Sequence, residues 1–142
     1  FISKELAEIV IPPWEKTWEG RRHARLRGLF DEFTDGGFIT VAEDPHDKDA
    51  RAILARVEPI AYEIFDFRCL DPQPGIRAMG CFSETDTFVA LIWNYRENIE
   101  NDKHWRTEVE RCKTEWEKLF CGLPRFKGRQ LNEYISYNFR AV

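Results

Sequence analysis

The sequence has no long hydrophobic run, and no stretch approaches the ~20 uninterrupted apolar residues that a membrane-spanning helix needs. It also has no positively charged segment followed by a short apolar run and a small-residue cleavage site. We therefore expect a protein that neither crosses a membrane nor is secreted. The length of 142 residues matches one domain over residues 1–142, and the aromatic share of 14% is too high for a disordered chain.

Cysteine and histidine are too few and too scattered to indicate a metal site. The sequence contains these residues only at Cys69, Cys81, Cys112, Cys121, His23, His46 and His104. None of their spacings matches a zinc site, a redox dithiol or a catalytic triad, and no glycine-rich phosphate loop follows a strand. We expect no cofactor and four reduced, mostly buried thiols in a cytoplasmic protein. Cys69 and Cys81 flank a predicted hairpin turn, so one disulfide between them stays geometrically possible.

The net charge of −4 is unevenly distributed. Acidic residues concentrate in residues 31–49, whereas the first thirty residues are net positive. An acidic chain repels nucleic acid on average, so nucleic-acid binding requires a local basic face. The only dense candidate is a group that we call the helix arginines: Arg21, Arg22 and Arg25.

The sequence pattern predicts an α+β fold. Helical spacing or helix caps occur in four segments: residues 14–33, 45–58, 103–120 and, more weakly, 131–135. Aromatic and branched residues favour strands in three segments: residues 60–69, 76–82 and 87–95. We expect an antiparallel sheet of three to four strands flanked by helices, with an added C-terminal helical segment. Residues 88–93 are apolar enough to predict the central strand.

Three further arginines, Arg68, Arg77 and Arg96, lie at or near the ends of the three predicted strands. If the first helix packs beside the sheet, they converge with the helix arginines into one surface that binds phosphate through bidentate hydrogen bonds. The alternative is that each arginine covers the surface with its aliphatic stem or pairs with an acid. The sequence alone leaves both interpretations open.

The middle of the chain resembles the RelE/ParE toxin superfamily, particularly its phage-derived branch. The resemblance rests on two helices followed by Ala61-Tyr62-Glu63-Ile64, then Ile76-Arg77-Ala78-Met79-Gly80-Cys81-Phe82, then Phe88-Val89-Ala90-Leu91-Ile92-Trp93. It covers about residues 45–100. It implies a RelE-like sheet and an endoribonuclease that cleaves messenger RNA in the ribosomal decoding site.

The resemblance also implies roles for individual residues. Arg77 matches the strand arginine that stabilises the transition-state phosphate, a task suited to a fixed cation. Tyr95 and Arg96 lie where the family often has an aromatic residue or lysines, so the implied catalytic residues are Arg77, Arg96 and Tyr95, with Tyr95 stacking on a base. The implied RNA-binding residues are Arg68 and the helix arginines. Residues 94–98 lack the paired lysines of the family, and the first-strand arginine is displaced to Arg68.

The implied partners are RNA or the ribosome, together with the antitoxin of a toxin–antitoxin pair. A second hypothesis is a non-enzymatic phage- or plasmid-type protein-interaction module, which uses the same small sheet to bind another protein. In that case the acidic segment around Asp44 is a docking surface.

Overall fold

The computed structural model describes residues 1–47 and 49–142. Its helices are α1 (Lys4–Val10), α2 (Trp18–Thr34), α3 (Asp102–Phe120) and α4 (Leu131–Tyr134). Its strands are β1 (Ile39–Ala42), β2 (Leu54–Arg56), β3 (Ile64–Cys69), β4 (Ile76–Glu84), β5 (Thr87–Tyr95) and β6 (Phe139–Ala141). Short 3₁₀ turns cover Ile60–Tyr62 and Arg96–Asn98. In the described residues no helix is both long enough and apolar enough to cross a membrane.

The strands form one mixed, six-stranded sheet in the order β5-β4-β3-β2-β1-β6. Strands β2 to β5 pair antiparallel, whereas β1 pairs parallel with both β2 and β6. The predicted α+β class is confirmed, but the prediction of a purely antiparallel sheet with three to four strands is wrong. The three strands that it missed have only three or four residues each, which is too short for a recognisable alternation of apolar and polar side chains.

The long helix α3 lies almost where its apolar spacing predicts it. The side chain of Asn101 begins it by accepting hydrogen bonds from the backbone N–H groups of Lys103 and His104. Helix α2 begins at Trp18 rather than residue 14, because Thr17 caps the N–H of Gly20. Helix α4 is a single turn, and α1 was not predicted.

The helix predicted over residues 45–58 is wrong. The Asp44 carboxylate accepts hydrogen bonds from the N–H groups of His46 and Asp47, but in the described residues this makes a turn rather than a helix. Residues 54–56 instead form β2, whose three residues are all buried because both faces of the sheet are covered there. Lys48, inside the predicted helix, lies outside the described residues.

Strand β5 is not central as predicted but ends the strand order. Its apolar character arises because α1 packs on one face and α3 on the other. Residues 1–3 cover its outer edge: the N–H of Ser3 donates to the carbonyl of Ala90, and the N–H of Ala90 donates to that of Phe1, each at 2.9 Å. Strand β3 begins at Ile64, four residues later than predicted, after the 3₁₀ turn.

The two faces of the sheet carry separate cores. On the α2 face, Phe65, Phe67 and Phe82 pack with Leu26 of α2. On the α3 face, buried sheet residues pack with Val109, Cys112 and Trp116 of α3. Cys69 belongs to the first core and Cys81 to the second, so the two thiols lie on opposite faces of the sheet. Both are free, and the disulfide that the sequence left possible between them does not form.

A buried polar network anchors α4 to the sheet. Nη2 of Arg56 lies 2.6 Å from the Glu63 carboxylate and 3.2 Å from the Tyr134 hydroxyl. The hydroxyl donates to Glu63 and lies 3.1 Å from the carbonyl of Gly128. Glu63 holds a left-handed backbone with φ of 53°, a conformation that its buried contacts maintain.

Replacing Tyr134 by phenylalanine removes the hydroxyl that links three partners and leaves the buried Arg56–Glu63 pair under-satisfied. We expect Tyr134→Phe to lower the free energy of unfolding by about 1–3 kcal/mol in urea titrations. Tyr137→Phe is the matched control, because Tyr137 is exposed. Equal stability of the two variants would contradict the role given to the network.

The same network makes stability depend on alkaline pH. Burial, followed by the hydrogen bond to Glu63, raises the pKa of Tyr134 from 10.0 to about 12. The folded state favours the protonated hydroxyl, so its contribution is complete below pH 10.0 and is lost as the pH rises through about 12. Chemical denaturation across this window should show a steeper loss of stability for the wild type than for Tyr134→Phe. Parallel pH profiles of the wild type and Tyr134→Phe would contradict this role of the Tyr134 hydroxyl.

Candidate functional site at the arginine end of the sheet

Strand β3 ends, β4 begins and β5 ends at the same end of the sheet. Arg68 and Arg77 lie directly opposite each other across β3 and β4, and Arg96 follows β5. Helix α2 brings Arg22 to this end, where Nη2 of Arg22 lies 3.4 Å from the carbonyl of Gly75. We call this region the arginine end and define it by Arg22, Arg25, Arg68, Arg77 and Arg96.

The structure does not place these arginines on one face. Arg68 alternates with Phe67 and Cys69, which both point into the α2-face core, so Arg68 and its partner Arg77 lie on the α3 face. Arg22 lies on the α2 face, beside Tyr95. Of the two interpretations that the sequence left open, convergence into a single surface is therefore not found: Arg68 and Arg77 lie on one side of the sheet end and Arg22 on the other.

On the α3 face, a carboxylate holds Arg77 and a backbone carbonyl holds Arg68. Nη1 of Arg77 lies 3.0 Å from the buried Asp66 carboxylate, and Nη1 of Arg68 donates to the carbonyl of Asp49 at 2.9 Å. Burial lowers the pKa of Arg68, and the charge of Arg77 adds to this effect, while Asp66 opposes it. Two guanidinium groups opposite each other repel, and the carboxylates of Asp66 and Asp49 offset part of that repulsion.

On the α2 face, Arg22 is a buried clamp. Its guanidinium forms two hydrogen bonds to Glu97, at 2.9 and 3.2 Å, and lies 3.8 Å from the centroid of the Tyr95 ring. This combination of ion pair and cation–π contact joins α2 to the chain beyond β5. Gly75 completes the junction, because its carbonyl also accepts the N–H of Arg96, and a Cβ there would lie 2.3 Å from the carbonyl oxygen of Cys69.

The sequence interpretation missed His23. Its Nε2 lies 3.0 Å from the hydroxyl of Tyr95, a residue 72 positions away in the chain, and its ring packs edge-on against Trp93. Neither the spacing of the histidines nor the helical pattern could indicate this pair. The only sequence signal is the position of His23 directly after Arg22, on a helix that was predicted to flank the sheet.

The His23 imidazole is a proton acceptor in contact with a proton donor, the Tyr95 hydroxyl. Burial, followed by the charge of Arg22, lowers the pKa of His23, while Glu19 raises it. Burial also raises the pKa of Tyr95, although Arg22 opposes this. At neutral pH the imidazole is therefore uncharged and the phenol protonated. Glu19 and His23 also line a neighbouring cleft of about 210 Å³.

Accessibility differs among the site residues predicted from the sequence. Arg21, Arg25 and Arg96 are exposed, whereas Arg22 is buried. Arg96 also donates from Nη1 to the carbonyl of Ile99. Arg22 covers one face of the Tyr95 ring, so Tyr95 presents its hydroxyl to His23 rather than that face to a base. In residues 1–47 and 49–142, no group of three or more His, Cys, Asp or Glu side chains is arranged to hold a metal ion.

Neither a family model, nor a curated protein, nor a solved structure matches this chain. The RelE/ParE resemblance therefore stays a prediction.

The His23 environment is testable by NMR titration. We expect a pKa for His23 below 6.5 in the wild type, and a further decrease in Glu19→Gln because the carboxylate that favours the imidazolium is gone. Glu8→Gln is the control, since Glu8 lies on α1 near the same cleft without acting on this pKa. A His23 pKa at or above 6.5, or an unchanged value in Glu19→Gln, would contradict the assignment.

Proposed function

We propose that the chain is a RelE-like endoribonuclease that cleaves RNA at the arginine end. The observation that carries the proposal is the contact between His23 and Tyr95 at 3.0 Å, with the charge of Arg22 directly beside it. A neutral imidazole hydrogen-bonded to a hydroxyl is a proton-relay pair, and a fixed guanidinium favours the negative charge that develops on the hydroxyl oxygen.

The relay accounts for cleavage without a cofactor. The Tyr95 oxygen takes the proton of a ribose 2′-hydroxyl and passes its own proton to Nε2 of His23. The 2′-oxygen then attacks the adjacent phosphorus, the bond from phosphorus to the 5′-oxygen breaks, and that oxygen takes a proton from water. The products are a 2′,3′-cyclic phosphate and a 5′-hydroxyl, and the His23 imidazolium releases its proton to solvent.

The remaining arginines supply binding. Arg25 is exposed on α2, on the side of the relay, and binds the reacting strand through its phosphates. Arg96 is exposed beyond β5, where its charge acts on Arg68, and adds to phosphate binding there. Arg68 and Arg77 lie on the opposite face and bind the phosphates that flank the cleaved one. In this proposal Arg77 contributes affinity rather than the phosphate stabilisation that the resemblance implies.

The alternative function is a non-enzymatic protein-interaction module. One observation favours it: Arg22 and Arg77 already pair with Glu97 and Asp66, so part of the positive charge is neutralised within the chain. A surface whose cations are balanced by acids of the chain itself fits the polar rim of a protein–protein interface better than the phosphate backbone of RNA.

Cell-free translation with added protein tests the RNA proposal, with message ends mapped by primer extension. We expect new cleavage sites with the wild type and a rate about 10²–10⁴ lower with His23→Gln, because the proton acceptor is lost. The cleavage rate with Tyr95→Phe should fall by a similar factor. His104→Gln is the matched control. Intact messages at high protein concentration would remove the RNA proposal and leave the interaction module.

The binding role of Arg77 is tested separately by the polarisation of a labelled single-stranded RNA. We expect Arg77→Ala to weaken RNA binding. The slope of log K against the logarithm of the salt concentration should become shallower by about 1, as the loss of one phosphate contact requires. Arg129→Ala removes an exposed arginine from another region and serves as the control. Equal salt slopes for all three proteins would contradict phosphate binding by Arg77.

A further inference from the structure

A second candidate site lies on the α3 side of the sheet. A cleft of about 740 Å³ separates the first half of α3 from the loops that follow β1 and β2. This volume lies within the range of about 300–1,000 Å³ that is typical of ligand pockets. We call it the α3 cleft. Its lining shares no residue with the arginine end, so what it binds is independent of the RNA proposal.

The floor of the α3 cleft is apolar. Trp105 and Val109 line it from α3, and both belong to the α3-face core, where Val109 is buried and Trp105 half-buried. Pro45 and Pro59 line it from the two loops. Aromatic and proline surfaces contact an inserted aliphatic or aromatic side chain with little loss of conformational entropy.

The rim of the α3 cleft is mainly acidic. Among the described residues, Glu58, Asp102 and Glu110 line it, together with the cation Arg106. Exposed acidic residues on either side of Pro45 in the loop after β1 extend this acidic rim. This field repels RNA and attracts a positively charged ligand, which assigns a charge to the occupant.

Two carboxylates of the rim contact side chains of the chain itself. Nε2 of His46 lies 3.1 Å from Oε1 of Glu58, which links the loop after β1 to the loop after β2. On the opposite wall, Glu110 lies 3.6 Å from Nζ of Lys113. Both contacts are largely exposed ion pairs, so the two carboxylates stay accessible to a ligand.

We propose that the α3 cleft binds a basic peptide segment of a partner protein, in which lysine or arginine residues flank one or two large apolar side chains. The apolar side chains insert against Trp105, and the flanking cations pair with the rim carboxylates. The size of the cleft, its apolar floor and its acidic rim define this chemistry together.

The probe is a fluorescein-labelled peptide of sequence Gly-Lys-Arg-Leu-Phe-Arg-Lys-Gly, and binding is measured by fluorescence polarisation. We expect saturable binding by the wild type. Replacing Leu-Phe with Ser-Ser in the peptide should abolish it, and so should replacing the four cations with glutamate. Binding of the serine peptide at wild-type strength, or no binding of the first peptide at about 1 mM protein, would overturn the proposal.

Charge reversals on the protein place the peptide. Glu58→Lys and Glu110→Lys should each weaken binding about tenfold, equivalent to about 1.4 kcal/mol. Both side chains are about half exposed, so their replacement leaves the fold intact, which circular dichroism checks. Glu117→Lys makes the same charge change on an exposed position of α3 outside the cleft and is the matched control. An equal effect of all three reversals would overturn the location.

Two further measurements separate the remaining outcomes. Sedimentation of the wild type without peptide should show no self-association through the α3 cleft, which would be recognised by its loss in Glu110→Lys. Such an association would identify a second copy as the occupant and overturn the proposal. RNA cleavage should be unchanged in Glu58→Lys and Glu110→Lys, so the failure of one proposal is distinguishable from the failure of the other.

Discussion

The burial of β3 and β4 on both faces is the constraint on which the rest of the structure depends. Their side chains alternate between the α2-face core and the α3-face core, so the middle of the sheet has no space for solvated polar groups. Apart from the buried Asp66, which pairs with Arg77, the charged side chains of these strands lie at or near the strand ends. Arg68 and Arg77 lie at one such end, and Arg22 reaches the same end from α2. The candidate chemistry of this protein is therefore located by the way in which its core is closed.

Where charges are buried, each has a defined partner. Arg56, Glu63 and Tyr134 form one network, and Arg22 with Glu97 forms another. Such groups contribute little net stability compared with apolar packing, but removing one partner is strongly unfavourable. Their effect is to bring together segments that are distant in sequence: the first network joins positions 71 and 78 residues apart, and the second joins positions 75 residues apart. The Arg22–Glu97 pair also sets the position of Tyr95, and with it the geometry of the proton relay.

The sequence predicted the parts of the fold in which local patterns are strong. Helix α3 and the hairpin of β4 and β5 follow from long, unbroken periodicities. The error over residues 45–58 arose because Asp44 followed by Pro45 is a good helix start, while the strand that actually follows has three residues and needs neighbours from distant segments. The grouping of Arg68, Arg77 and Arg96 could be inferred from strand ends. The separation of Arg22 from Arg68 and Arg77 on opposite faces could not, because it depends on the side on which α2 packs, and the contact of His23 with Tyr95 depends on the same packing.

The most direct test of the central claim is the chemistry of the RNA ends. Purified protein and a labelled RNA are incubated with a chelator of divalent metals, and the termini of the products are analysed. The His23–Tyr95 relay predicts cleavage in the presence of the chelator, with 2′,3′-cyclic phosphate and 5′-hydroxyl ends. Cleavage that needs a divalent metal, products with 5′-phosphate ends, or the absence of cleavage would contradict it.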